Sequence, residues 1–168
     1  MLPDDQLGDT RELHLAWLDF YRRTLERKLD GLSEEELRTS RLPSGWTPLE
    51  LLKHLVFMER RWLRWGFAGE PFPDPWGDSG GIDDGPWRLE DGDTLEGLLQ
   101  ELRAGGERSR QVVETGELGN RAAAGGRFGV GEEGPTLNWI LFHVLQEYAR
   151  HVGQLDIARE LADGVTGE

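Results

Sequence analysis

The feature that most constrains the fold is a strong helix-start signal at Thr47–Glu50. It combines an N-cap threonine, a proline at the first helical position and a glutamate at the third. An apolar stripe at helical spacing follows and ends at Gly66; it consists of Leu51, Leu55, Met58, Trp62 and Trp65. This segment therefore predicts an amphipathic helix over residues 48–65.

Similar capping signals predict three further long helices. Asp9 with Glu12, Asp93 with Glu96, and Thr136 after Pro135 begin these helices, which end near Gly31, Glu114 and Asp163 respectively. Ser33 to Glu36 is another capping box and predicts a short helix. Strand alternation, an internal repeat and a second domain are all absent from the pattern. The sequence therefore predicts an all-α fold in a single domain spanning residues 1–168.

Two long connections join these helices. Residues 67–92 form a loop rich in Pro, Gly and Asp, and residues 115–135 form a Gly-rich loop. Loops longer than about 12–15 residues are commonly functional when they are ordered. A helix over residues 48–65 is about 27 Å long, and the first loop is long enough to carry the chain back along it. We therefore expect helices two and three to be parallel, in a four-helix bundle with long crossover loops.

Composition excludes several function classes. The 168 residues carry a formal net charge of −13, which argues against binding to nucleic acids or to anionic membranes. The sequence has no cysteine, so disulfides, thiolate nucleophiles and cysteine-based zinc sites are excluded. The N-terminus lacks an apolar signal core, and no apolar run approaches the roughly 20 residues that span a bilayer. We expect a cytoplasmic protein.

Glu147 and His151 are the most informative pair of polar residues. They lie four residues apart in an apolar helix, so they share the face that also carries aliphatic side chains. His54 lies in the apolar helix that follows Thr47. A buried carboxylate is usually paired or bound to metal. Two imidazoles and one carboxylate form a common ligand set for a catalytic divalent metal.

The spacing of the histidines leaves two metal-binding triads open. His143 and His151 are eight residues apart, about 12 Å along a helix axis, too far to share one ion easily. The alternatives are His54/Glu147/His151 and His54/His143/Glu147. His14 is expected to be a structural or surface residue. A hydrogen-bonded Glu147–His151 pair without metal is the simpler interpretation of the same spacing.

Sequence motifs resemble a known family across nearly the whole chain. These are SGWTPLELLKHL, KHLxxxER, and a final helix of the form HxxxExxxHxGQ followed by IARE. They resemble the DinB-like superfamily of metal-binding four-helix bundles, in particular its His/Glu/His branch, which contains mycothiol-dependent maleylpyruvate isomerase. The resemblance implies that His54, Glu147 and His151 bind one divalent ion. Zinc is the expected metal, with nickel as the alternative.

The resemblance also implies an activity. We expect a metal-dependent thiol S-transferase, in which a low-molecular-weight thiol of the mycothiol type attacks a small electrophile. A bound metal lowers the pKa of a thiol or of water, and the absence of cysteine requires the thiol to come from a small molecule. The alternatives are a non-catalytic metal- or ligand-binding bundle, and a metal-free homodimer in which the same three residues form a buried polar network.

Other aromatic and basic residues surround these positions in the sequence. Trp46, Trp76 and Trp87 are candidates either for lining the pocket or for packing. Three arginines follow the second-helix histidine and are expected on a solvated charged face, with contact to an anionic substrate as the alternative; they are Arg60, Arg61 and Arg64. No residue is assigned as a separate general base.

Overall fold

The computed structural model describes residues 1–80 and 86–166. The helices are α1 (Thr10–Leu29), α2 (Glu34–Arg38), α3 (Pro48–Glu59), α4 (Leu95–Thr115) and α5 (Leu137–Asp163), and a π-helical segment (Arg60–Phe67) continues α3. Extended backbone in the described ranges pairs only through isolated bridges, such as that between Ser79 and Trp87. The predicted all-α bundle of four long helices and one short one is confirmed.

The helix starts follow the capping signals, with one exception. Both predicted capping boxes form, that of Thr47 with Glu50 at α3 and that of Ser33 with Glu36 at α2. The predicted Asp93 cap of α4 is wrong by one residue, because Thr94 accepts the hydrogen bond from the backbone N–H of Gly97. The Asp93 carboxylate instead accepts a 2.7 Å hydrogen bond from Lys53 of α3.

The second long helix ends in π-helical geometry, which the sequence pattern does not predict. The backbone N–H of Ala68 bonds to the carbonyl of Leu63, five residues back. The widened turns bring Gly66 close to the preceding backbone, where an added Cβ would lie 2.8 Å from the carbonyl oxygen of Arg61. Short π-helical turns are frequent at functional sites.

Contacts between side chains define the directions of two helix pairs. Helix α3 is parallel to α4, because Lys53 pairs with Asp93 near their starts and Arg60 pairs with Glu101 further along both. The second and third long helices of the sequence prediction are α3 and α4, so their predicted parallel arrangement is confirmed. Helices α1 and α4 are antiparallel, since Asp19 pairs with Arg110 and Glu26 pairs with Arg103.

Helix α5 completes the bundle alongside α1 and α3. It is parallel to α1, because the rings of His14 and Phe142 are 4.7 Å apart and Arg159 donates to the carbonyl of Lys28 further along. The described helices therefore run up, down, down and up in the order α1, α3, α4 and α5. Helices α3 and α5 are antiparallel neighbours, and they carry the three predicted metal ligands.

A buried polar network crosses the leucine-rich core. The Glu59 carboxylate of α3 accepts hydrogen bonds of 3.0 and 2.7 Å from Arg22 of α1, and one of 2.6 Å from the Tyr148 hydroxyl of α5. Burial acts to raise the pKa of Glu59, but the Arg22 guanidinium outweighs it and holds that pKa below its usual value. An ionised carboxylate therefore joins three helices in the core.

Candidate metal centre

Three residues of ligand type converge between α3 and α5. His54 of α3 and Glu147 and His151 of α5 each offer a ligand atom, and these atoms all lie within 4.8 Å of one another. The distance between His151 Nε2 and Glu147 Oε2 is 3.2 Å. A tetrahedral ion with bonds of about 2.0–2.2 Å holds its ligand atoms roughly 3.3–3.6 Å apart. The cluster therefore has nearly the dimensions that a divalent ion requires.

Each imidazole of the cluster has a hydrogen-bond partner on its Nδ1 atom. His54 Nδ1 lies 3.0 Å from Oδ2 of Asp78, and His151 Nδ1 lies 2.8 Å from Oε1 of Gln154. Partners of this kind orient the ring and select the tautomer of metal-binding histidines. Each ring therefore keeps its Nε2 atom as the nitrogen that can bind a metal.

The Glu147–His151 contact provides a test of whether the site fits a cation. The contact between His151 Nε2 and Glu147 Oε2 is a hydrogen bond when the imidazole carries its proton on Nε2; when Gln154 accepts an Nδ1–H instead, Nε2 presents its lone pair to the carboxylate. Two acceptors at 3.2 Å repel unless a proton or a cation lies between them. These two side chains are only 7 % and 15 % exposed, so water screens this repulsion weakly. The donor set therefore fits a divalent metal ion.

Protonation states at neutral pH also suit metal binding. The hydrogen bond with His151 holds the pKa of Glu147 below its usual value, against the opposing effect of burial. Burial lowers the pKa of His54, and the hydrogen bond to Asp78 offsets only part of this effect. Glu147 is therefore a carboxylate and His54 a neutral imidazole, as metal ligands must be.

His143 and His14 do not belong to this cluster, although His143 lies close enough to Glu147 for their charges to interact. The His143 ring stacks on Trp139, with centroids 5.3 Å apart and a 6° interplanar angle, and lies 4.3 Å from the ring of Trp62. His14 is buried against Phe142. Within residues 1–80 and 86–166, the triad brought together is His54/Glu147/His151 and not the one containing His143.

Comparison with protein families relates nearly the whole chain to one family. A family model described as mycothiol-S-transferase matches residues 13–164. The chain belongs to this family. The family is DinB-like, so the resemblance to that superfamily is confirmed. A comparison with curated proteins finds no match. Among the described residues of this mycothiol-S-transferase family member, no helix has the length and apolarity needed to cross a membrane.

One tryptophan of this family member covers the cluster directly. The Trp87 ring stacks on His54, with centroids 4.4 Å apart and an 18° interplanar angle, and lies 5.2 Å from the ring of His151. Trp46 is 6.1 Å from Trp87. Both border a cleft of about 360 Å³, which adjoins the cluster through Trp87 and is lined by Ser44, Gly45, Trp46, Glu50, Pro86 and Trp87. Trp76 instead packs on Arg61, 4.5 Å from its guanidinium carbon.

The prediction of a solvated face is wrong for Arg61. Its side chain is buried, and its guanidinium binds both carboxylate oxygens of Asp78 and donates to the carbonyl of Pro75. The cause is the loop after the π-helical segment, which folds over this face and supplies both acceptors. Arg60 and Arg64 pair with Glu101 and Glu70 respectively.

Sequence reasoning missed two residues that orient the predicted ligands. Asp78 is one of several aspartates in the loop 67–92, of which residues 81–85 lie outside the described residues. Nothing local distinguishes it, apart from the tryptophans on either side. Gln154 did carry a signal, because it ends the HxxxExxxHxGQ motif and lies three residues after His151. This spacing places the two side chains on one helix face.

Proposed function

We propose that this protein binds a divalent metal ion through His54, Glu147 and His151 and transfers a low-molecular-weight thiol to a small electrophile. The observation that carries the proposal is the convergence of three ligand-type residues, within 4.8 Å, in a chain of the mycothiol-S-transferase family. The family supports a thiol of the mycothiol type. Zinc is the first candidate metal for two imidazoles and one carboxylate, and nickel the second.

The charge of the ligand set suits a thiol substrate. With both imidazoles neutral, Glu147 contributes the single negative charge, so a divalent ion there leaves a net charge of about +1. When bound, the metal supplies the positive charge that lowers the pKa of a thiol near neutral pH. Trp87 covers the histidines and limits the access of water, which strengthens electrostatic interactions in the cluster.

The thiol has to be supplied by a small molecule, because the chain has no cysteine. In the proposed reaction the thiol loses its proton to solvent, its sulfur forms a bond to the electrophilic carbon, and the carbon–leaving-group bond breaks with departure of the anion. We propose that the substrates bind in the cleft bordered by Trp46 and Trp87, because Trp87 also contacts His54 and His151. The reaction consumes a reduced thiol, so we place it in the reducing cytoplasm.

Metal analysis of untagged protein tests the first half of the proposal. We expect about one zinc or nickel ion per chain by elemental mass spectrometry, and its loss in His54→Ala, Glu147→Ala and His151→Ala. His143→Ala is the matched control, because its ring stacks on Trp139 outside the cluster and its loss should leave metal content unchanged. Unchanged metal content in Glu147→Ala would contradict the ligand assignment.

Thiol transfer is tested separately on metal-loaded protein. A panel of low-molecular-weight thiols that includes mycothiol is combined with alkyl and epoxide electrophiles, and conjugates are measured by mass spectrometry. We expect conjugation that depends on both the thiol and the metal and is absent in Glu147→Ala. Stoichiometric metal binding without conjugation across the panel would leave a metal-binding bundle and reject the transferase.

A further inference from the structure

The long loop after the π-helical segment delivers a buried carboxylate to one of the predicted ligands. Asp78 lies in this loop, its side chain is fully buried, and its Oδ2 atom is 3.0 Å from His54 Nδ1. Burying a charged carboxylate is costly unless it is paired and hydrogen-bonded. The fold therefore keeps a buried carboxylate, which is costly to desolvate, beside Nδ1 of His54.

Several independent contacts fix the position of Asp78. Arg61 binds both of its carboxylate oxygens, and the Arg61 Nη2–Asp78 Oδ2 distance is 3.0 Å. The guanidinium packs on the ring of Trp76, and the Asp78 backbone carbonyl accepts a 2.9 Å hydrogen bond from the N–H of Arg88. Asp78 is thus held from its side chain and from its backbone.

The geometry has a specific consequence for His54. Because Asp78 can only accept, it holds the proton of the neutral imidazole on Nδ1 and leaves the lone pair on Nε2 as the atom with which His54 can bind a metal beside Glu147 and His151. The Trp87 ring stacked on His54 restricts rotation of the imidazole about its bond to Cβ. Tautomer and orientation are therefore both set by residues of the loop.

We propose that Asp78, clamped by Arg61, is the positioning residue that fixes the tautomer and orientation of His54 and so sets the affinity of the site for a divalent metal. This inference rests on the proposed function, and it assigns a role to the loop: to complete the metal site from outside the helices. Gln154 has the corresponding place at His151, with a neutral amide in place of a carboxylate.

The test is the zinc affinity of Asp78→Asn, which keeps the shape of the side chain and removes its charge. Zinc is titrated into metal-free protein in competition with a chromophoric chelator. We expect affinity 10- to 100-fold weaker than wild type, the range for loss of a group that orients a metal ligand. Asp91→Asn is the matched control, because Asp91 is an exposed aspartate of the same loop, and its affinity should equal that of wild type.

A spectroscopic measurement separates positioning from a general structural effect. ¹⁵N NMR of metal-free protein should show His54 as the Nδ1–H tautomer in wild type and as a mixture of tautomers in Asp78→Asn. Because Asp78→Asn leaves a buried guanidinium unpaired and can unfold the protein, the double variant Asp78→Asn/Arg61→Met provides a second test without the unpaired charge. It should bind zinc as weakly as the single variant.

The outcomes distinguish this inference from the proposed function. Wild-type zinc affinity in a folded Asp78 variant, or an unchanged tautomer, overturns the positioning role and leaves the metal site intact. Failure of wild-type protein to bind any zinc or nickel overturns the metal site itself, and the positioning role with it. Weaker zinc binding together with a mixed tautomer supports both.

Discussion

Replacing Arg22 with methionine should destabilise the protein in a pH-dependent way. Methionine has a similar length but no charge, so it removes the guanidinium and leaves the Glu59 carboxylate in the core with neutral hydroxyl donors such as Tyr148. Burial then raises the pKa of Glu59, and the folded variant takes up a proton that the unfolded chain lacks at neutral pH. The free energy of unfolding falls by the cost of that protonation.

The magnitude follows from the ordinary glutamate pKa of about 4.3 and 1.36 kcal/mol per pH unit. Protonating this group costs about 3.7 kcal/mol at pH 7 and about 1.6 kcal/mol at pH 5.5. The first value lies within the roughly 3–5 kcal/mol measured when a buried ion pair loses one partner. In the variant the folded state binds the extra proton, so stability is greatest at low pH and falls as pH rises above 4.3.

Wild-type protein should lack this slope between pH 5.5 and 7. There the Arg22 guanidinium keeps the pKa of Glu59 below its usual value, against the effect of burial, so the carboxylate is ionised in both folded and unfolded states. The stabilisation from this pair is present above the unfolded pKa and is lost only as pH falls through the folded pKa.

Urea unfolding in EDTA at pH 7.0, 6.25 and 5.5 measures these values without a contribution from metal. Arg103→Met is the matched control, because its ion pair with Glu26 is at the surface, with 61 % of the arginine side chain exposed. It should change stability by less than about 1 kcal/mol, with no pH slope. A loss in Arg22→Met that is the same at all three pH values would refute the reasoning.

Three further predictions concern the bundle and the cluster. Gly105→Ala should stabilise the protein by up to about 1 kcal/mol. Gly106→Ala should destabilise it, because the added Cβ would lie 3.0–3.1 Å from atoms of the buried Arg22 side chain. Equal effects of the two substitutions in urea unfolding would contradict this difference. Zinc at about 100 times its Kd should stabilise metal-free protein by about 2.7 kcal/mol and raise Tm by roughly 5–11 °C. A Tm shift that survives in His54→Ala would argue against the site. Because burial lowers the pKa of His54, bound zinc should be retained below pH 6.5 and released on further acidification as the ligands protonate. Dialysis followed by elemental analysis measures this release, and a midpoint above pH 6.5 would contradict the prediction.

The features that sequence reasoning predicted are those whose partners lie close together in the chain. A capping box such as Thr47 with Glu50 needs only two residues three positions apart, so its signal is complete in the sequence. The shared face of Glu147 and His151 follows from one helical turn. Helical spacing alone left both triads open, and the resemblance to the DinB-like superfamily favoured His151 over His143 as the third ligand.

The features that were missed depend on contacts between distant parts of the chain. Arg61 looked like a surface residue because nothing in its own helix reveals that the loop returns to cover it with Asp78. Glu59 accepts hydrogen bonds from α1 and α5, and neither donor is near it in sequence. The π-helical segment was missed because eight residues are too few to separate a π-helical from an α-helical apolar period.

The buried network and the candidate metal centre depend on the same pair of helices. Glu59 lies five residues after His54 on α3, and Tyr148 directly follows Glu147 on α5. The 2.6 Å hydrogen bond from the Tyr148 hydroxyl to Glu59 therefore fixes how α5 lies against α3. A slip of α5 by one residue would shift it by about 1.5 Å and rotate its side chains by about 100°. That slip would break the bond to Glu59 and move His151 away from His54. A buried polar network that is fully satisfied in one register disfavours other registers, and here the favoured register is the one that assembles the three ligands.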